Sequence, residues 1–245
     1  MPDKPPDHAE GPHAGQRLTR ADVERLIAER GGPEGPDLRR ANLTGVDLSE
    51  LRLQWTNFAG ANLHSADLRV ADLQHADFVG ANLQDANLDG SNLQKAFLLQ
   101  AKLQGARLMF ANLQDAAMGQ ANLERCILWG TNLNSAHLQW AKLSCARLAG
   151  AHIDYETDLA NVDWGNDYIL GEELAGEYEA AEAVYRMLKE WHRQHGYYSI
   201  ASEFAYRENV VHTKALGLQA RQEWGEAKKS FRVALESLRK RLART

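Results

Sequence analysis

The sequence predicts a β-solenoid followed by a small helical unit. Three observations point to it. Large apolar residues fall at every fifth position from Leu38 to Ile153 without a slip, and all 24 are Leu, Phe, Met or Ile. Two positions before each, the residue is mostly small, and 17 of the 24 are Ala. From Gly171 onward the five-residue period gives way to apolar spacings of three and four. A strict period of five fits neither the 3.6-residue turn of an amphipathic helix nor the two-residue alternation of a strand. A short repeat held without interruption means stacked units, each burying its apolar residue against its neighbours.

One large and one small inward residue per repeat suit a narrow tube whose chain turns a corner each time, so four repeats make one roughly square coil. Parallel strands stack about 4.8 Å apart, so about six coils give a tube roughly 29 Å long. Leu63, Leu83, Leu103, Leu123 and Leu143 are 20 residues apart and belong to one core column. The run Ala61-Asn62-Leu63, Ala66-Asp67-Leu68, Ala71-Asp72-Leu73 has the form A-[DN]-L-x-x and resembles the pentapeptide-repeat family. That resemblance covers about half of the chain. It implies a right-handed quadrilateral β-helix, a fold that carries many roles and specifies no activity.

The 20-residue register also orders the surface. Gln54, Gln74, Gln94, Gln114 and Asn134 form one outward column, and Asn92, Asn112 and Asn132 run beside it. Stacked amides of this kind hydrogen-bond from one coil to the next. Met109, Phe110, Ile127 and Trp129 are expected outside on two successive coils of one face, and Phe97, Leu99 and Val79 on the opposite face. Outward apolar clusters mark a contact surface. The chain's own C-terminal segment or a second copy is expected to cover it ahead of a foreign partner.

Composition narrows the function classes. The net charge is −5, and residues 37–164 hold 14 acidic and 10 basic side chains. Some pentapeptide-repeat proteins resemble DNA in charge and shape and protect type II topoisomerases. Such a mimic needs a dense acidic face, and here Arg52, Arg69, Arg107, Arg125 and Arg147 interrupt it. The acidic balance also argues against a nucleic-acid partner. Two cysteines give no disulfide framework; Cys126 occupies an inward slot and Cys145 an outward one. No stretch approaches the roughly 18 apolar residues of a membrane span, and Met1–Pro6 lacks the apolar core of a secretory signal. A cytoplasmic location is the resulting expectation.

Taken in order, residues 1–16 read as a disordered tail rich in Pro and Gly. Residues 17–36 read as a helix and linker capping the solenoid. Thr19 or Arg20 starts the helix, Val23, Leu26 and Ile27 form its apolar stripe, and Gly31-Gly32-Pro33 stops it. Residues 37–164 are the repeat. Its register slips once, because Leu159 follows Ile153 by six residues before Trp164. Residues 165–245 form the helical unit, expected as three helices. Leu174, Tyr178, Ala181, Tyr185, Leu188 and His192 stripe the first. Ile200, Phe204 and Val211 stripe the second, and Leu218, Trp224, Phe231, Leu235, Leu238 and Leu242 the third. The first two resemble a tetratricopeptide-type hairpin. Together with Tyr185–Lys189 and Ala201–Glu208, the chain is similar to prokaryotic proteins in which a pentapeptide β-helix precedes this module. Some of these continue into a two-helix ion channel. The basic end, Arg239-Lys240-Arg241, reads as a solvated last turn that suits the helix dipole, with a membrane surface as the other reading.

The sequence offers no catalytic constellation and no cofactor motif. His192 and His195 share a helix at a spacing of three, but a third metal ligand is missing from the pattern. A packed tube leaves no pocket. The sequence therefore reads as a non-enzymatic interaction scaffold. The cytosolic part of a membrane channel or sensor, and a topoisomerase-protecting DNA mimic, stand as alternatives.

Overall fold

The structure is a computed structural model that describes residues 11–30 and 35–242, leaving the side chains of residues 30, 231 and 233–242 outside that description. The chain forms two compact units that divide between Ala175 and Gly176. The first is a β-solenoid and the second is helical.

The solenoid explains its own sequence pattern. Each repeat contains one tight turn. The carbonyl of the large residue accepts the N–H three residues on, as in Ala81 N–H to Phe78 O at 2.9 Å. The residue two after the large one has positive φ, as in Ser65 (56°), Val70 (57°) and Phe110 (57°). This is the third position of a type II turn, where glycine is the least strained choice. Coils then pair in parallel with the residue 20 positions on, as in Asn62 with Asn82 and Asn82 with Lys102. Four repeats therefore make one turn of the solenoid.

The Asn or Asp of the motif has a local task. Its side-chain oxygen accepts the backbone N–H two residues ahead, as in Asp47 to Ser49 (2.9 Å), Asn87 to Asp89 (3.1 Å) and Asn122 to Glu124 (3.1 Å). That N–H lies at the corner, where the turn gives it no carbonyl, and an Asx bond satisfies it. Leu63, Leu83, Leu103 and Leu123 are completely buried and Leu143 is nearly so. Phe58 and Phe78 stack in the same core with ring centres 4.8 Å apart. Two of the polar inward residues donate to the preceding coil, Thr131 Oγ1 to Leu108 O at 2.9 Å and Cys126 Sγ to Leu103 O at 2.8 Å, whereas Ser91 Oγ bonds Leu88 O of its own turn at 2.8 Å. Burial raises the Cys126 thiol pKa well above its ordinary value.

At the N-terminal end α1 spans Arg20–Arg30. Thr19 and Asp22 make a reciprocal cap: Asp22 Oδ2 accepts the Thr19 N–H (2.9 Å), and Thr19 Oγ1 accepts the Asp22 N–H (3.3 Å). Arg20 pairs with Asp47 at 3.2 Å, and Val23 is completely buried. Residues 11–16, expected in a disordered tail, instead lie along the first coil. Gly15 N–H donates to Arg40 O at 2.8 Å, and Arg17 pairs with Asn42. Gly11 permits this approach, since a Cβ there would lie 2.7 Å from Arg39 O. Residues 1–10 of that expected tail, and Gly31-Gly32-Pro33, lie outside the described residues.

At the other end the slip is real. His137 pairs with Asp158 and Lys142 with Asp163, each 21 residues on. Asp154 absorbs the extra residue by accepting the N–H groups of Ser135 (2.9 Å) and Thr157 (2.8 Å). Ile153, expected as a core residue, is only half-buried because it sits beside this loop. Past the last full coil, α2 spans Gly171–Leu174. Gly171 N–H donates to Ala146 O (2.9 Å), and the buried Glu172 carboxylate accepts the Ala149 N–H (2.7 Å). Position 147 is Arg, so Ala149 lacks the usual Asx partner and Glu172 substitutes for it.

The helical unit has two helices, α3 (Tyr178–Gln194) and α4 (Tyr198–Leu242). This corrects two expectations. The second and third predicted helices are one 45-residue helix. Gly217 and Gly225 do not break it, because an isolated glycine keeps its N–H and costs a helix only about 1 kcal/mol. Leu174 belongs to α2, not to the α3 stripe, and is 63% exposed. Ala181, Val184, Tyr185 and Leu188 of α3 are buried, as are Ala201, Phe204 and Val211 of α4. Glu208 on α4 pairs with Arg186 (2.9 Å) and Lys189 (2.5 Å) on α3. Among the described residues, no helix is long and apolar enough to cross a membrane.

Candidate interaction surface

The corner positions of the solenoid decide what it shows to solvent. A side chain at the positive-φ position projects from the corner and cannot reach the core. Seven such positions between Gly45 and Gly150 are glycine. The other 15 carry side chains, and among them Phe110 is 73% exposed. It lies over the next corner, since a Cβ on Gly130 would come within 2.6 Å of Phe110 Cδ1.

The residues expected around Phe110 divide into two classes. Met109, Ile127 and Trp129 are half-buried rather than fully outward. Trp129 is covered by Arg147, whose guanidinium carbon sits 4.2 Å from the ring centroid. Met109 is held by Asp89, whose Oδ1 accepts its N–H at 2.8 Å, while Asp89 Oδ2 pairs with Arg107 at 2.8 Å. The two sets do lie on adjacent coils: Phe110 N–H donates to Trp129 O (2.8 Å), and Arg107 pairs with Ile127. On another face Phe97 and Leu99 are 46% and 40% exposed, and Val79 is half-buried. Sequence reading missed Trp55, Val70, Trp140 and Tyr155, which are all more than half exposed. Trp55 stacks on His75 with centroids 4.0 Å apart. The signal for Trp55, Val70 and Trp140 was their place two residues after the large one.

Charges on this face are mostly neutralised in place. Asp67 pairs with Arg69 at 2.6 Å, and that hydrogen bond holds the Asp67 carboxyl below the usual range. Among the amide columns, the Asn ladder forms: Asn112 Nδ2 donates to Asn92 Oδ1 (3.3 Å) and Asn132 Nδ2 to Asn112 Oδ1 (3.0 Å). The Gln column makes no such chain among the described residues, and Gln54 donates to Asp72 instead.

In the helical unit, His192 Nδ1 and His195 Nδ1 each lie 2.7–2.8 Å from the carbonyl four residues earlier. Burial lowers the His192 pKa. A cleft of about 430 Å³ opens between the start of α3 and α4, lined by Tyr178, Ala180, Leu218 and Gln222 among others. Lys214 Nζ stands 5.5 Å over the Tyr178 ring at its edge.

A family model described as pentapeptide repeats matches residues 37–74, 68–105 and 100–130. The chain is a pentapeptide-repeat protein. It is similar to Rfr23, a pentapeptide-repeat protein from the cyanobacterium Cyanothece 51142, at 31% identity over 40% of this chain, with a TM-score of 0.36. The match spans 64% of Rfr23, just under two-thirds of its length. It is also similar to HetL from Nostoc sp. strain PCC 7120, a pentapeptide-repeat protein involved in heterocyst differentiation regulation. That identity is 30% over 60% of this chain and 73% of HetL, with a TM-score of 0.33. QnrB1, a plasmid-mediated fluoroquinolone resistance protein, matches at 18% identity over 64% of this chain and 94% of its own, with a TM-score of 0.35. No curated protein matches the chain.

Proposed function

We propose that this pentapeptide-repeat protein is a non-enzymatic interaction scaffold whose contact surface is the apolar corner around Phe110. The rigid part is a right-handed quadrilateral solenoid of about six coils, with α1 over its first coil. The observation that carries the reading is Phe110 itself. A non-glycine residue at φ 57° is strained, and a ring 73% exposed forgoes most of its burial. Glycine, used at seven of the 22 corners from Gly45 to Gly150, avoids both costs; the other non-glycine corners share the strain, and among the apolar ones Phe110 is the most exposed. A residue that local stability does not call for is a sign of contact with something else.

A topoisomerase-protecting DNA mimic has less support. The acidic groups near Phe110 are paired, Asp67 with Arg69 and Asp89 with Arg107. A cytosolic channel domain rests on resemblance in the helical unit alone.

The test compares whole-chain wild type with Phe110→Gly in a pull-down from a bacterial lysate, each also melted in solution. The variant should retain its Tm to within a few degrees and lose partners that the wild type holds. Equal capture by both proteins, or capture of nothing by the wild type, overturns the reading.

A further inference from the structure

Because α4 is one continuous helix, its two apolar stripes can be compared directly. The first consists of Ala201, Phe204 and Val211, all buried, with Glu208 and His212 beside them pairing to Arg186 and Glu182 of α3. The second begins at Trp224, which is 74% exposed. The sequence continues it at Phe231, Leu235, Leu238 and Leu242, in steps of seven, four, three and four. At about 100° per residue, Trp224 lies about 140° round the helix from Val211 and about 160° from Phe204. Trp224 thus stands on the side of the helix away from α3. Residues 216–242 extend for about 40 Å at the ordinary rise.

Charge identifies what this second stripe fits. Arg221, Lys228, Arg232 and Arg239 follow one another in steps of seven, four and seven, so they form one row along an edge of the stripe. Residues 221–245 carry eight Lys and Arg against three Glu, a net +5 in a chain of net −5. The residues before 221 therefore sum to −10. A second copy laid along the stripe would bring two such cationic segments side by side. An anionic lipid surface has the opposite charge and an apolar layer beneath it. A helix with Trp, Phe and Leu on one face and a basic row beside them lies in such an interface. No described helix can span the bilayer, so this one would lie on it.

We propose that the distal half of α4 is a peripheral membrane-binding helix that inserts the Trp224 stripe into an anionic lipid surface, with the Arg221–Arg239 row on the headgroups. This proposal and the Phe110 proposal rest on different residues, so either can fail alone.

The test is co-sedimentation of the whole chain with vesicles of phosphatidylcholine alone and with a quarter phosphatidylglycerol. Binding should be at least about tenfold stronger to the anionic vesicles and should weaken as salt rises from about 0.1 M to about 0.5 M. Trp224→Glu and the double variant Arg232→Glu/Arg239→Glu should each abolish it while far-UV circular dichroism is unchanged. Equal affinity for both vesicles, or no sedimentation with either, overturns the proposal. If a Trp224-dependent dimer appears in analytical ultracentrifugation and vesicles do not bind, the occupant is a second copy instead.

Discussion

Asn112→Ala against Asn122→Ala isolates the energy of a side-chain ladder from that of the turn it accompanies. Both asparagines hold the N–H two residues ahead, Asn112 to Gln114 at 3.2 Å and Asn122 to Glu124 at 3.1 Å. Asn112 also accepts from Asn132 (3.0 Å) and donates to Asn92 (3.3 Å), whereas Asn122 lies between Lys102 and Lys142 in its column. A hydrogen bond contributes a net ~0.5–1.5 kcal/mol. Asn122→Ala should therefore cost about 1 kcal/mol and Asn112→Ala about 2–3 kcal/mol. For a chain of this size each kcal/mol shifts Tm by roughly 2–4 °C, so the two variants should melt roughly 2–8 °C apart. Urea denaturation followed by circular dichroism gives the same comparison at constant temperature. Equal losses for both variants would refute the ladder as a source of stability and leave the Asx turn as the whole role of the motif's asparagine.

Three further substitutions test the assigned environments. Leu103 is completely buried, so Leu103→Asp should abolish the solenoid's folding through a cost of about 3–5 kcal/mol for an unpaired buried charge. Gln94→Ala, in the column that forms no ladder, should stay within about 0.5 kcal/mol of wild type. Comparable losses for these two would reverse the inward and outward assignment. Glu172 is buried, and desolvation raises its carboxyl above the ordinary glutamate range. Between the unfolded and the raised folded pKa the native state holds the extra proton, so stability falls as pH rises through that window. Glu172→Gln keeps an acceptor for the Ala149 N–H without the charge. Its Tm relative to wild type should therefore climb as pH rises above the ordinary glutamate value of about 4. A pH-independent difference would show that the carboxyl is not desolvated.

The solenoid was legible because its periodicity is one-dimensional: a repeat of five with a fixed small-polar-large order allows few other ways to bury Leu63 and its equivalents. The reason for the Asn or Asp was not legible, since it depends on a corner N–H that only the folded turn leaves open. The half-burial of Trp129 escaped for a different reason. Alternation placed it outward, but Arg147, from the coil above, covers its ring. Helix α4 was read as two helices because its apolar stripe changes sides near Leu216, and a change of stripe resembles a break when only spacing is visible. Ordered residues 11–16 were missed because their Gly and Pro content signals disorder, while their partner is the Arg39–Asn42 strand of the first coil.

The same reasoning says where function can reside. In a solenoid of this kind the large residue, the small residue and the Asx residue are each fixed by packing or by a backbone hydrogen bond, so changing them alters stability first. The corner residues are fixed only by φ, which glycine satisfies best. A bulky side chain such as Phe110 or Val70 at a corner therefore adds strain without adding core. The helical unit has its counterpart in α4, where the Phe204 stripe packs on α3 and Trp224 is 74% exposed. In both units the features left over once folding is accounted for are apolar groups held toward solvent. Variants at those groups should change binding with little change in Tm, and variants at the motif positions should do the reverse.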